Sequence, residues 1–176
     1  MDHVRHFFEH HIKNAYIKIL VGSGLIIILS LIFSSGDYNG SGMNVIMRAL
    51  SGDAECYDFM LKILFTAITL GVGFKGGEIV PTFFIGSTIG CFMGDVIGLD
   101  PGFSAAVGLA AIFCAVVNCP VASIILGVEL FGSEGFVFFA IACCISYMLS
   151  GYYGLYGSQK IMYSKLKAEY INIRAK

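Results

Sequence analysis

The residues with chemical potential in this chain sit mostly at the edges of apolar runs. Glu78 lies inside a glycine break, Gly76-Gly77-Glu78-Ile79-Val80-Pro81, that leads straight into a long apolar stretch. Glu129 is the most isolated charge, with no charged residue between it and Asp100. Tyr163 follows Lys160 near a basic C-terminal segment. His6-Phe7-Phe8-Glu9-His10 has the H-x-x-E-H spacing of a zinc protease, which also needs a third ligand and an enclosing cleft. The pattern stands ahead of an apolar run with no soluble domain to complete it. Its chemistry is therefore read as adventitious metal binding by His3, His6, His10 and His11, and no catalytic metal is expected. The six cysteines (Cys56, Cys91, Cys114, Cys119, Cys143, Cys144) lack CxxC spacing and are read as small buried hydrophobes. No G-x-S-x-G or Walker sequence occurs, so neither an enzyme nor a cofactor is expected.

The glycine break offers binding rather than catalysis. A helix starting at Pro81 directs its amide donors back toward the glycines, and its positive end attracts anions. In hydrocarbon, backbone can be left open in this way only where it lines a cavity or a pathway. Ile79 and Val80 would donate N–H groups to a partly dehydrated anion, with Gly77 and Pro81 shaping the turn. Glu78 would point away or pair with Lys75, since an ionised carboxylate repels an anion. Glu129 is expected to bind exposed backbone amides near Gly132 and Ser133.

Composition places these residues in a membrane. Hydrophobic residues make up 57% of the chain and charged residues 13%, with a mean hydropathy of +0.81, well outside soluble averages. The net charge of −1 gives no electrostatic basis for nucleic-acid binding. The 22 glycines suit helices packed closely in lipid. Several apolar runs reach the roughly 20 residues needed to cross a bilayer, while others are shorter or broken by glycine.

The expected elements follow from these runs. An amphipathic interfacial segment over 1–14 precedes a membrane helix from Ala15 to Ser35. A turn-rich loop leads to a short helix, Met43 to Leu50. A second membrane helix runs from Cys56 to Gly71, with Lys62 snorkelling to the interface. The Pro81 helix continues to Gly98, and Asp100-Pro101-Gly102 reads as a turn. Helices Ala105 to Val117, Pro120 to Leu130 and Gly135 to Leu149 follow. Beyond a tyrosine-rich loop comes a final helix, Ile161 to Arg174. The cations at Lys160, Lys165, Lys167, Arg174 and Lys176 place the C-terminus in the cytoplasm. Short, unequal, broken helices are how transporters set helix ends at mid-membrane depth.

In order and spacing, these residues resemble the CLC family of chloride channels and chloride/proton exchangers. The break Gly76 to Pro81 looks like the family's GxFxP anion-site motif, with Ile79 where Phe is common. Asn118-Cys119-Pro120, Ile124-Ile125-Leu126 and Glu129 resemble its apolar-Pro-apolar-Glu helix. Lys160-Ile161-Met162-Tyr163-Ser164 is similar to the pathway tyrosine that opens its last helix, and Gly40-Ser41-Gly42-Met43-Asn44 matches a glycine-rich turn. The resemblance implies an all-α membrane protein, a CLC-like second inverted repeat of broken, tilted transmembrane helices over 15–176. The first half, with its serine loop and GxEGP glutamate, has no match, so a missing N-terminal half is an expected partner.

The implied function is chloride transport across the cell membrane by a multi-pass homodimer in lipid, as a channel or a chloride/proton antiporter. Gly77, Glu78, Ile79, Val80, Pro81 and Tyr163 form the anion site. Selectivity would come from helix-end dipoles and hydroxyls, without a fixed positive charge. The dimer would form through the Pro120 and Gly135 helices, using small residues such as Ala122, Ser123, Gly127, Ala140 and Ala142. Two alternatives stand beside this reading. One is a fluoride-selective exporter, for which Val80 lacks an expected hydroxyl. The other is a non-transporting membrane assembly half.

Overall fold

Asn14 opens the first helix by local chemistry: its side chain accepts a hydrogen bond from Tyr16 N at 3.1 Å, filling one of the unpaired amides of a helix start. The structure is a computed structural model that describes residues 14–33 and 36–175. The segment 1–14, with its histidine pattern, falls outside these residues except for Asn14. The helices are α1 (Ala15–Ile32), α2 (Met43–Leu50), α3 (Asp58–Val72), α4 (Ile79–Ile97), α5 (Pro101–Val117), α6 (Pro120–Phe131) and α7 (Phe136–Leu149). A short 3₁₀ turn, Ser133–Gly135, joins α6 to α7, and strands β1 (Lys160–Tyr163) and β2 (Tyr170–Arg174) close the order.

Asp100-Pro101 is a helix start rather than a free-standing turn. Asp100 accepts from Phe103 N at 2.7 Å, and Pro101 occupies the first turn, where its missing N–H costs nothing. α5 therefore begins four residues before the expected Ala105.

Helices α4 and α5 form the closest pair, packed backbone to backbone through glycine. A Cβ on Gly86 would stand 2.8 Å from both Gly108 O and Leu109 Cα. One on Gly108 would stand 2.8 Å from Gly90 Cα. No larger residue fits this seam without moving a helix. On one side of it Tyr38, Val45, Ile46, Leu61, Phe65, Phe84 and Leu109 form a core. On the other, Ala106, Ala110, Cys114, Phe139 and Cys143 join α5 to α7.

The outer surface is apolar. Leu20, Ile27, Ile28 and Leu31 on α1 are exposed, as are Val121, Ile125, Phe138, Ile141 and Leu149 on α6 and α7. Ser123 and Gly127 face inward: Ser123 is buried, and a Cβ on Gly127 would lie 2.9 Å from the Phe139 ring. Gly127 serves the α6–α7 contact within the chain, the buried Ser123 donates to Cys119 O at 2.8 Å, and large side chains cover the outer face. Among the described helices, α4 is long and apolar enough to cross a membrane, while the other apolar helices are shorter.

The C-terminal segment departs from expectation. Residues 161–174 form an antiparallel hairpin instead of a helix, with Lys160 opposite Arg174 and Ile161 opposite Ile173. The physical reason is local: Tyr170-Ile171-Asn172-Ile173-Arg174 alternates exposed and half-buried residues, the period of a strand. β-branched and aromatic residues favour that conformation.

Candidate anion site at the start of α4

Helix α3 ends at Gly73, whose φ of 103° lies in the left-handed region, and the chain then runs without regular structure to Glu78. α4 begins at Ile79 with no side chain capping it. The Glu78 carbonyl accepts from Thr82 N at 3.2 Å and from Thr82 Oγ1 at 2.7 Å, so the turn is tied by its own hydroxyl. The amides of Ile79 and Val80 precede the first intrahelical bond and have no partner inside the helix.

This helix start opens on a cavity of about 620 Å³. Gly76, Gly77, Val80 and Pro81 line one wall. Ile26 and Ile27 of α1, Phe65 and Leu70 of α3, and the 38–41 loop supply most of the rest. Two lining hydroxyls are already committed: Ser23 donates to Leu20 O at 2.9 Å and Thr69 to Phe65 O at 2.7 Å.

Lys62 belongs to the same lining and does not snorkel. Its side chain is 1% exposed, and its ammonium donates to Gly40 O at 2.8 Å and Tyr38 O at 3.2 Å. It also lies 4.9 Å from the centre of the Phe84 ring, a cation–π contact. The loop carbonyls fold over the lysine because α3 turns it toward the 36–42 segment rather than toward an interface. Asp58, one turn earlier on α3, is also buried. Its carboxylate accepts from Tyr38 OH at 2.6 Å and from Glu55 N at 3.1 Å, with Arg48 at 4.0 Å. Arg48 reaches Asp37 at 3.7 Å, completing a polar network around Tyr38. Sequence reasoning missed this network. The available signal was the i, i+4 pair of Asp58 and Lys62 in an otherwise apolar helix, since charges inside membrane segments mark function by default.

The structure divides the expected site residues. Gly77, Val80 and Pro81 border one cavity, and Ile79 and Glu78 stand at the helix start. Glu78 is half-exposed and, among the described residues, forms no ion pair with Lys75. Tyr163 is 68% exposed on β1, edge-on to Tyr170 at 5.6 Å, outside the cavity lining. Glu129 is exposed and has no hydrogen-bond partner among the described residues; Gly132 N donates to Val128 O at 2.9 Å instead.

A second lysine fastens the hairpin. Lys165 donates to Ser150 Oγ at 2.7 Å and to Asn118 Oδ1, and lies 4.2 Å from the Tyr147 ring centre. Burial holds its ammonium below the usual lysine range. Asn118 ends α5 with φ of 58° and donates to Tyr153 O at 2.8 Å, so one residue ties α5 to both the loop and the hairpin.

Comparison with known proteins agrees with this architecture. The sequence profile of the family described as voltage gated chloride channel matches residues 1–151. A chloride/fluoride channel protein of Pseudomonas syringae pv. tomato is 39% identical over 128 residues, which cover 73% of this chain and 28% of that protein. An uncharacterized protein of Methanocaldococcus jannaschii is 28% identical over 138 residues, 76% of this chain and 34% of that one. The crystal structure of a CLC-type fluoride/proton antiporter superposes with a TM-score of 0.83 at 31% identity, covering 88% of this chain and 40% of that chain. The chain thus spans about a third of the length of the curated relatives it matches. With the profile matched over most of its length and the helical body shared, the chain belongs to the CLC, or voltage gated chloride channel, family of membrane proteins.

Proposed function

We propose that this chain is the second half of a CLC-type transmembrane domain, residues 15–176, and that it carries part of a pathway for a small halide across the cell membrane. The observation that carries this reading is the uncapped start of α4 opening on the cavity beside Gly76 and Gly77. Unpaired amides at a helix start are anion donors, and their placement inside an apolar body makes them strong. Gly77, Glu78, Ile79, Val80 and Pro81 form the binding element, with the Ile79 and Val80 amides as donors. Tyr163 joins the site through its resemblance to the pathway tyrosine of the family.

Fluoride is the substrate favoured over chloride. The reason is that two relatives at 39% and 31% identity carry fluoride in their descriptions, one as a chloride/fluoride channel protein and one as a fluoride/proton antiporter. Val80 offers no hydroxyl and favours chloride, which keeps chloride as the second reading. The protein acts as a homodimer in lipid, paired through the exposed apolar faces of α6 and α7, together with the first half of the domain.

The experiment is ion efflux from liposomes holding the full-length protein, read with fluoride- and chloride-selective electrodes. Fluoride efflux several-fold faster than chloride supports the reading, and chloride-selective flux moves the substrate to chloride. A folded, dimeric protein with no flux of either ion would return it to a non-transporting assembly role. Tyr163→Phe tests the second element: loss of one hydroxyl donor to an anion is worth about 1.5–3 kcal/mol, or roughly ten- to a hundredfold in halide affinity. Tyr156→Phe, in the tyrosine-rich loop before β1, should leave affinity unchanged.

A further inference from the structure

We propose, building on the halide reading above, that Lys62 is a fixed positive charge that concentrates the transported anion in the cavity at the start of α4. The sequence reading expected no such charge in the pathway.

The ammonium is almost fully removed from solvent and its hydrogen-bond partners are dipoles. Gly40 O at 2.8 Å and Tyr38 O at 3.2 Å solvate it, and the Phe84 ring supports it at 4.9 Å. Carbonyls and a ring lower the cost of burying the cation without cancelling its unit charge. Among the described residues no carboxylate lies within salt-bridge distance of it. Asp58, the nearest acidic residue on α3, is engaged by Tyr38 OH, Glu55 N and Arg48. Lys75 and Glu78 flank the glycine break with opposite charges.

The surroundings extend the reach of that charge. The walls of the cavity beside Lys62 include Ile26, Ile27, Phe65 and Leu70. Between apolar walls a charge is screened far less than in water, and its field is focused into the open volume. The uncapped start of α4 presents the positive end of its dipole to the same volume. A lysine and a helix start thus reinforce one another across one cavity, which is an environment for a small monovalent anion. Because carbonyls cover the ammonium, it acts through space and is a positioning residue rather than a direct ligand.

Lys62 also ties the 36–42 loop to α3, and that structural role needs N–H donors but not charge. Lys62→Gln keeps amide donors on a shorter side chain, while Lys62→Arg keeps the charge. In liposomes containing the full-length protein, Lys62→Gln should raise the half-saturating fluoride concentration about tenfold with maximal flux little changed. Lys62→Arg should restore most of the affinity. An unchanged half-saturation in folded Lys62→Gln overturns the proposal.

A second measurement keeps Lys62 in place, so it can overturn the proposal even if Lys62→Gln does not fold. Ser41→Cys puts a thiol on the cavity wall, with the exposed Cys56 and Cys144 replaced by serine. Anionic and cationic methanethiosulfonates of matched size then probe the local potential. Modification by the anionic reagent should be about tenfold faster, and equal rates or a preference for the cationic reagent overturn the proposal. This ratio needs no ion flux. An anionic preference in a protein that moves neither halide would discard the transport reading while keeping the buried charge.

Discussion

Two lysines in this protein solve the same problem with opposite consequences. Lys62 and Lys165 each lack a carboxylate partner among the described residues, and each is held by oxygen dipoles and an aromatic ring, Phe84 for one and Tyr147 for the other. Lys62 is enclosed in the second turn of α3, covered by the backbone of a loop, and beside a cavity. Lys165 is only half-buried and uses the side chains of Asn118 and Ser150 to dock a hairpin on the ends of α5 and α7. Burial decides what each charge can do. A cation whose field is confined by apolar walls acts on whatever enters the cavity, whereas a cation near solvent is screened and acts as a tether.

The sharpest way to break this comparison is to attack the acid that neighbours Lys62. Asp58→Ala removes the acceptor for Tyr38 OH and Glu55 N in a fully buried position and leaves both donors unsatisfied. Breaking a buried charged network in this way costs about 3–5 kcal/mol, so most of the protein should be lost as a monodisperse species. Size-exclusion chromatography before and after heating reads the effect. A melting curve like that of the unaltered protein would mean that the Tyr38 network does not hold the 36–42 loop over Lys62. Tyr38→Phe is milder, because it keeps the ring contacts with Phe65 and Phe84 at 5.9 Å and 6.2 Å and removes only the hydroxyl. The expected loss is about 1–3 kcal/mol. In the double variant the two losses should fall short of additivity, since both remove one shared bond.

The contrast also separates what was legible in the sequence from what was not. Helix α2 has the expected bounds, and α6 starts at the expected Pro120, because caps, glycines and prolines act locally. The glycine break was legible for the same reason, and α4 starts at Ile79, two residues before the expected Pro81. Lys62 was not: whether a lysine snorkels or folds inward depends on which loop covers it, a contact between residues 22 positions apart in the chain. The C-terminal hairpin was not legible because its alternation covers only the five residues 170–174, and the strand that pairs with it lies earlier in the chain, at 160–163. The inward use of Gly127 depended on where Phe139 of the next helix would lie, which residue spacing along one helix cannot reveal.

The smallest expected effect belongs to the tether. Lys165→Met keeps an unbranched apolar side chain and removes the ammonium that lies over the Tyr147 ring and donates to Ser150 and Asn118. The hairpin retains other attachments, including Gln159 Nε2 to Val117 O at 3.3 Å and, through the preceding loop, Leu155 N to Val116 O at 2.8 Å. Loss of two partly exposed hydrogen bonds should therefore weaken docking by about 1 kcal/mol. Hydrogen–deuterium exchange separates this local loss from a global one. Amides of β1 and β2 should exchange roughly fivefold faster, while those of α4 and α5, locked by their glycine seam, should be unchanged. Faster exchange across α4 and α5 as well would show that the hairpin supports the helical body, and the division between an enclosed charge and a surface tether would fail. Unchanged exchange in β1 and β2 would show that the remaining bonds dock the hairpin and that Lys165 adds nothing to its attachment.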